Sequence, residues 1–135
     1  MLERVMIIAG ESSGELYGAL LARTLRARYP SVRITGVGGH RMEAAGVELL
    51  SRIAGAFGAV EVMKSIGELR KTFHRVSTSL SSFRPQVLVL IDYPDFNMKV
   101  AREAKKLGIR ILYYVSPQVW AWRKGRVRTI GSLID

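Results

Sequence analysis

The chain has no cysteine. Disulfides, thiolate metal sites and a cysteine nucleophile are therefore excluded, and a reducing cytoplasm is compatible with the composition. It also lacks any apolar run near the ~18 residues that a membrane span requires. Its opening MLERVMIIAGE does not have the layout of a cleavable signal, because acidic residues flank a very short apolar run. Acids are few: 11 against 21 lysines and arginines, a net charge of +10. Such a charge attracts polyanions, whether nucleic acid, anionic headgroups or phosphorylated substrates. No zinc-finger spacing, RNP-type aromatic motif or block of consecutive basic residues is present, so no nucleic acid is expected as a partner. The reading is a soluble or peripheral protein.

What is present is a globular balance over 135 residues, 48% hydrophobic and 24% charged, enough for one compact unit spanning 1–135. Val5–Ala9 is a continuous apolar run ending at Gly10, as expected for a strand buried on both faces of a parallel sheet. A helix follows, with Leu16 and Leu20, then Leu21 and Leu25, at helical spacing for its inner face. Ser12 or Ser13 can cap it, and Tyr29-Pro30 ends it. A strand is expected over Val32–Val37, then a short helix over Arg41–Ala45 stopped by Gly46. Residues 51–59, rich in glycine and alanine, are expected as loop. From Val60 a long helix places Ile66, Leu69, Phe73, Val76, Leu80 and Phe83 on one stripe. Val87–Ile91 is another apolar strand, Asn97–Leu107 a helix, and Ile109–Val115 a strand. A further short helix is expected from Arg123.

The order expected is therefore β-α-β-α-α-β-α-β: an α/β fold, with a parallel sheet, helices on both faces and right-handed crossovers. Ligands in such sheets bind beyond the carboxyl ends of the strands. GESSGE, GVGG, DYPDFN and SPQVWAWR, the most unusual segments of the chain, all fall at that edge. In GESSGE, the donors Ser12, Ser13 and Gly14 at a helix start suit a phosphate or a sugar, although the same residues also make an ordinary capped helix. His40 beside the glycines is a candidate ligand or simply an exposed histidine. Asp92 closes a run of five apolar residues. A carboxylate at the mouth of the sheet, partly withdrawn from water, suits proton acceptance, and it equally suits a structural bond to a loop. Asp95, after Pro94, reads first as an N-cap. Asn97 suits either a substrate hydroxyl or support of the turn. Trp120 and Trp122 face opposite ways if extended, as a sugar platform or as clips for the loop.

Five segments stand together: IAGESSGE, GVGGHRMEAAG, FGAVEVM, RPQVLVLIDYPDFN and YYVSPQVWAWR. In order and spacing they resemble the N-terminal half of the lipid-A-disaccharide synthases, over nearly the whole chain. The resemblance implies a Rossmann-like domain, the acceptor-holding half of an inverting GT-B-type glycosyltransferase. The family transfers 2,3-diacylglucosamine from UDP-2,3-diacylglucosamine to 2,3-diacylglucosamine 1-phosphate (lipid X). The products are the β-1,6-linked lipid A disaccharide 1-phosphate and UDP. Neither metal nor cofactor is implied. The resemblance implies a cytoplasmic protein, peripheral on the inner membrane of a Gram-negative bacterium.

Residue by residue, the resemblance makes Asp92 the candidate general base. Glu11, Ser13 and Gly14 fall on its active-site floor, and Ser12, Asp95, Asn97, Ser116, Gln118 and Trp120 become candidate substrate contacts. Trp122 and Arg123 are candidate braces of the loop. Lys64, Ile66, Leu69, Arg70, Lys71 and Phe73, with Arg75, form a candidate membrane or acyl surface, or else a core-facing helix with a basic outer side. Glu15 stands where the family usually has aspartate, and His40 where it often has proline. An apolar run begins at Leu133-Ile134 just where the chain stops, which reads as a truncation. The C-terminal donor domain is then absent, transfer by these residues alone is not expected, and the bared domain interface could drive self-association. The competing readings are a non-catalytic anionic-lipid module and a Rossmann-like module for nucleotide or RNA.

Overall fold

A computed structural model of the chain describes residues 1–10, 12–52 and 66–114, with backbone alone for Ser12 and Ile66. The elements run β1 (Arg4–Ala9), α1 (Ser12–Arg28), β2 (Arg33–Gly38), α2 (His40–Ala44), β3 (Val47–Arg52), α3 (Ile66–Ser82), β4 (Val87–Ile91), α4 (Pro94–Lys106) and β5 (Arg110–Tyr114). The five strands form one sheet in the order β3-β2-β1-β4-β5, with every neighbouring pair parallel. The α/β expectation holds. One strand, β3, was not anticipated. It is an edge strand, so VELLSR carries Glu48 and Ser51 among its apolar residues and lacks the continuous run that marks β1 and β4. Its register on β2 shifts between Gly36 and Val37.

Alternation along the strands divides the core in two. Val5, Ile7 and Ala9 of β1 join Val89 and Ile91 of β4 on the face covered by α1 and α2, with Ala19, Ala22 and Met42. Met6, Ile8, Leu88 and Leu90 join Val76, Leu80, Phe96, Val100 and Ala104 of α3 and α4 on the other face. The stripe read along α3 is the inner face: Val76 and Leu80 are buried, and Leu69, Phe73 and Phe83 pack partly buried against them.

On α1 the leucine reading needs correction. Leu16 and Leu20 are exposed, at 40% and 48%, while Leu21 and Leu25 are half-buried against the core. The buried face is Glu15, Gly18, Ala19 and Ala22, with Glu15 and Gly18 set against α2. Small residues let α1 lie close on the strands, so its large side chains are left outside.

Candidate active-site edge

Strand order reverses between β1 and β4, the neighbours at the centre of the sheet, whose crossovers leave in opposite directions. A crevice opens beyond the carboxyl ends of two such strands. Gly10 follows β1 there and Asp92 follows β4, so two of the segments picked out in the sequence flank the same crevice.

Asp92 is buried, at 8% exposure. It and Tyr93 both adopt φ of 46°, in the left-handed region. For residues other than glycine this costs on the order of 1–2 kcal/mol each. Surrounding bonds hold the distortion. Asn97 Nδ2 donates to the Asp92 carbonyl at 2.7 Å and to the Ile91 carbonyl at 3.3 Å. The Tyr113 hydroxyl donates to the same Asp92 carbonyl at 2.7 Å. The Asp92 N–H donates to the Tyr114 carbonyl at 3.1 Å. The main chain at Asp92 is thus clamped from α4 and from β5. Of the two roles open to Asn97, support of the turn is the one its amide nitrogen performs. Its Oδ1 is buried without a hydrogen-bond partner among the described residues.

Tyr93 is the N-cap of α4 and makes no side-chain cap bond. The expected N-cap, Asp95, instead lies one residue past Pro94 inside the first turn, because proline suits the opening position of a helix. There its carboxylate complements the positive helix end without capping it. The Tyr93 ring turns back over Gly10, where a Cβ would collide with it. The ring also stacks on Phe96, at 5.8 Å between centroids, and Phe96 meets Phe73 edge-on at 6.3 Å.

Ser13 is exposed in the first turn of α1, and Gly14 is buried. A Cβ on Gly14 would come to 3.0 Å from Ile91 Cγ2, so its missing side chain lets α1 begin against the end of β4. Glu15 is wholly buried, and its two carboxylate oxygens accept from the N–H groups of Arg41 and Met42, each at 3.0 Å. It therefore caps the first turn of α2 from α1. His40 opens α2 and is exposed.

Beside Tyr93 a groove of about 530 Å³ runs between α3 and α4, lined by Leu69, Arg70, Phe73, Tyr93, Asp95, Phe96 and Lys99. It brings together four residues named from sequence, Leu69, Arg70, Phe73 and Asp95, with three that were not. Lys71 lies elsewhere on α3, with Arg75, around a small cleft against Ser51 and Arg52. Tyr113, Phe96 and Lys99 were missed. Tyr113 had a signal: a tyrosine on the inward parity of a strand needs a partner for its hydroxyl. Glu11, Lys64, Ser116, Gln118, Trp120, Trp122, Arg123, residues 53–59 and the helix expected from Arg123 lie outside the described residues, as do the side chains of Ser12 and Ile66.

Known proteins place this geometry. The fold is shared with a MurG crystal structure from Acinetobacter baumannii, at a TM-score of 0.62 and 13% identity over 98% of this chain and 40% of that one. It is shared with CalG4, the calicheamicin glycosyltransferase, at 0.53 and 17% identity over 98% of this chain and 43% of that one. The fold these likenesses show is a Rossmann-like α/β domain. In sequence, the chain is 50% identical to a lipid-A-disaccharide synthase of Geobacter sulfurreducens over 98% of its length. It is 42% identical to that of Myxococcus xanthus, again over 98% of its length. It spans 35% of each of those relatives. The family model for lipid-A-disaccharide synthetase matches residues 5–135. With that match running to the last residue, the chain belongs to the lipid-A-disaccharide synthase family.

Proposed function

We propose that these residues form the acceptor side of a lipid-A-disaccharide synthase and that Asp92 is its general base. The observation that carries the reading is the clamped, left-handed Asp92 at the crevice between β1 and β4. A distortion persists only where its surroundings enforce it, and such positions concentrate at functional sites. The acceptor is lipid X and the donor UDP-2,3-diacylglucosamine. The Asp92 carboxylate takes the proton of the acceptor 6-hydroxyl as its oxygen attacks the anomeric carbon of the donor. The new C–O bond forms, the bond to UDP breaks with its electron pair, and the centre inverts. The nucleotide sugar and the stabilisation of departing UDP come from a C-terminal donor domain, with residues 1–135 as the acceptor domain. Clamping the main chain fixes where the base stands, and a base within hydrogen-bond reach contributes about 10²–10⁴-fold.

Among the described residues no helix is long and apolar enough to cross a membrane. We propose peripheral attachment at the cytoplasmic face of the inner membrane. Support comes from the bases Arg70, Lys71, Lys99, Arg102, Lys105 and Lys106, all exposed on α3 and α4 and attractive to anionic headgroups.

The test is Asp92→Asn in a full-length synthase whose first part is this chain. Disaccharide formation from both lipids should be abolished while lipid X still binds. Unchanged turnover would remove Asp92 from the role.

A further inference from the structure

The groove between α3 and α4 has a composition of its own. Its floor is Leu69, Phe73, Tyr93 and Phe96, while Arg70, Lys99 and Asp95 stand at its lip. Its volume of about 530 Å³ falls inside the range of small-molecule sites, about 300–1,000 Å³. Neither Arg70 nor Lys99 has an ion-pair partner among the described residues. An adjoining hollow of about 360 Å³ shares Phe73 and Lys99 and adds Arg102, Lys105 and Lys106 against Glu103. The whole trough is thus apolar below and cationic along one side. Tyr93 joins it to the crevice: the residue after Asp92 supplies part of its wall and stacks on Phe96 in its floor.

We propose that this groove holds one hydrocarbon chain of the acceptor lipid, with the anionic group of the same molecule over Arg70 and Lys99. The inference rests on the acceptor reading above and deepens it. An apolar slot lined by rings removes methylenes from water, and the two cations at the lip select an amphiphile that carries negative charge. A neutral detergent offers the slot a chain and the lip nothing. A short anionic sugar offers the reverse. With one end of the lipid lodged between α3 and α4, the sugar is drawn toward Asp92, because the wall of the groove and the base are consecutive residues.

The test is calorimetric titration of this chain with octyl, decyl and dodecyl phosphate below their micelle thresholds, beside decyl maltoside and glucose 1-phosphate. Affinity should rise about fourfold for each added methylene, and decyl maltoside should bind at least tenfold more weakly than decyl phosphate. Leu69→Trp, which fills the slot, should weaken decyl phosphate at least tenfold. Lys99→Glu, on an exposed position, should weaken the phosphate and spare the maltoside, with an unchanged melting curve for the fold. Affinity independent of chain length, or unaffected by Lys99→Glu, overturns the proposal. Its failure is separable from that of the acceptor reading. If alkyl phosphates ignore the groove while Asp92→Asn abolishes transfer, the groove falls and the base stands. If they bind as described while Asp92→Asn transfers normally, the base falls and the groove stands.

Discussion

The two faces of the sheet are closed in different ways. On the α1–α2 face, small residues draw the helix against the strands, and the one buried acid, Glu15, joins α1 to α2 through two main-chain N–H groups. On the α3–α4 face, rings separate the helices and leave a groove with cations at its lip. Each face has an acid near the carboxyl edge, and the acids differ in what surrounds them. Glu15 satisfies two N–H groups at the start of a short helix, one of them buried. Asp92 sits on a left-handed main chain held by Asn97 and Tyr113. The difference teaches that burial of a carboxylate says little about its task until its partners are named.

The widest separation between the faces comes from substituting the two acids. Asp92→Asn in the full-length synthase should lower turnover by about 10²–10⁴-fold and leave the melting temperature nearly unchanged. Glu15→Ala should do the opposite. It strands the buried Met42 N–H and the part-buried Arg41 N–H and leaves a hole, a loss of about 3 kcal/mol. For a chain of this size that is a fall of roughly 10 °C in Tm. Thermal unfolding of both variants beside a turnover assay decides it. A Glu15→Ala chain that melts like the parent would show that α2 does not depend on this acid.

Glu15 also marks where reading the sequence succeeded and where it failed. The apolar runs of β1 and β4 announced central parallel strands because both their faces are buried. The stripe of α3 announced its inner face because large residues do the packing there. On α1 the same logic pointed at Leu16 and Leu20, and it failed because contact is made by Gly14, Gly18, Ala19 and Ala22. Apolar size is a guide to burial only where the neighbouring element leaves room for it. β3 stayed hidden because an edge strand has one poorly covered side and mixes Glu48 and Ser51 with its apolar residues. At the site, Asp92 was legible from its place after a buried strand. Its clamp was not, since Tyr113 reaches it only through the register of β5 on β4, in which Ile91 pairs with Tyr114. Lys99 escaped notice because its meaning comes from Leu69 and Arg70 on a different helix.

The clamp offers a finer test than removal of the acid. Tyr113→Phe keeps the ring packed against the α3–α4 core and deletes the hydroxyl that donates to the Asp92 carbonyl. Stability should fall by about 1 kcal/mol, the usual net worth of one such bond. Turnover in the full-length enzyme should fall several-fold with lipid X binding retained, since the base keeps its identity and loses part of its fixed position. A stability loss with normal turnover would mean that Asn97 alone suffices to hold the turn.

The smallest effect is expected on the outer side of α1, where the leucines were first assigned to the core. Leu20 is 48% exposed, and the neighbouring Tyr17 ring meets Tyr114, at the end of β5, with 5.2 Å between centroids. Replacing an exposed side chain removes little buried area, so Leu20→Gln should change stability by no more than about 0.5 kcal/mol. Chemical denaturation with matched m-values is the measurement, because a change confined to the midpoint isolates stability from compactness. A loss well above 1 kcal/mol would mean that this side of α1 is covered in the folded protein. Leu16 and Leu20 would then belong to an interface after all, and the contrast between the two faces would have to be redrawn around α1.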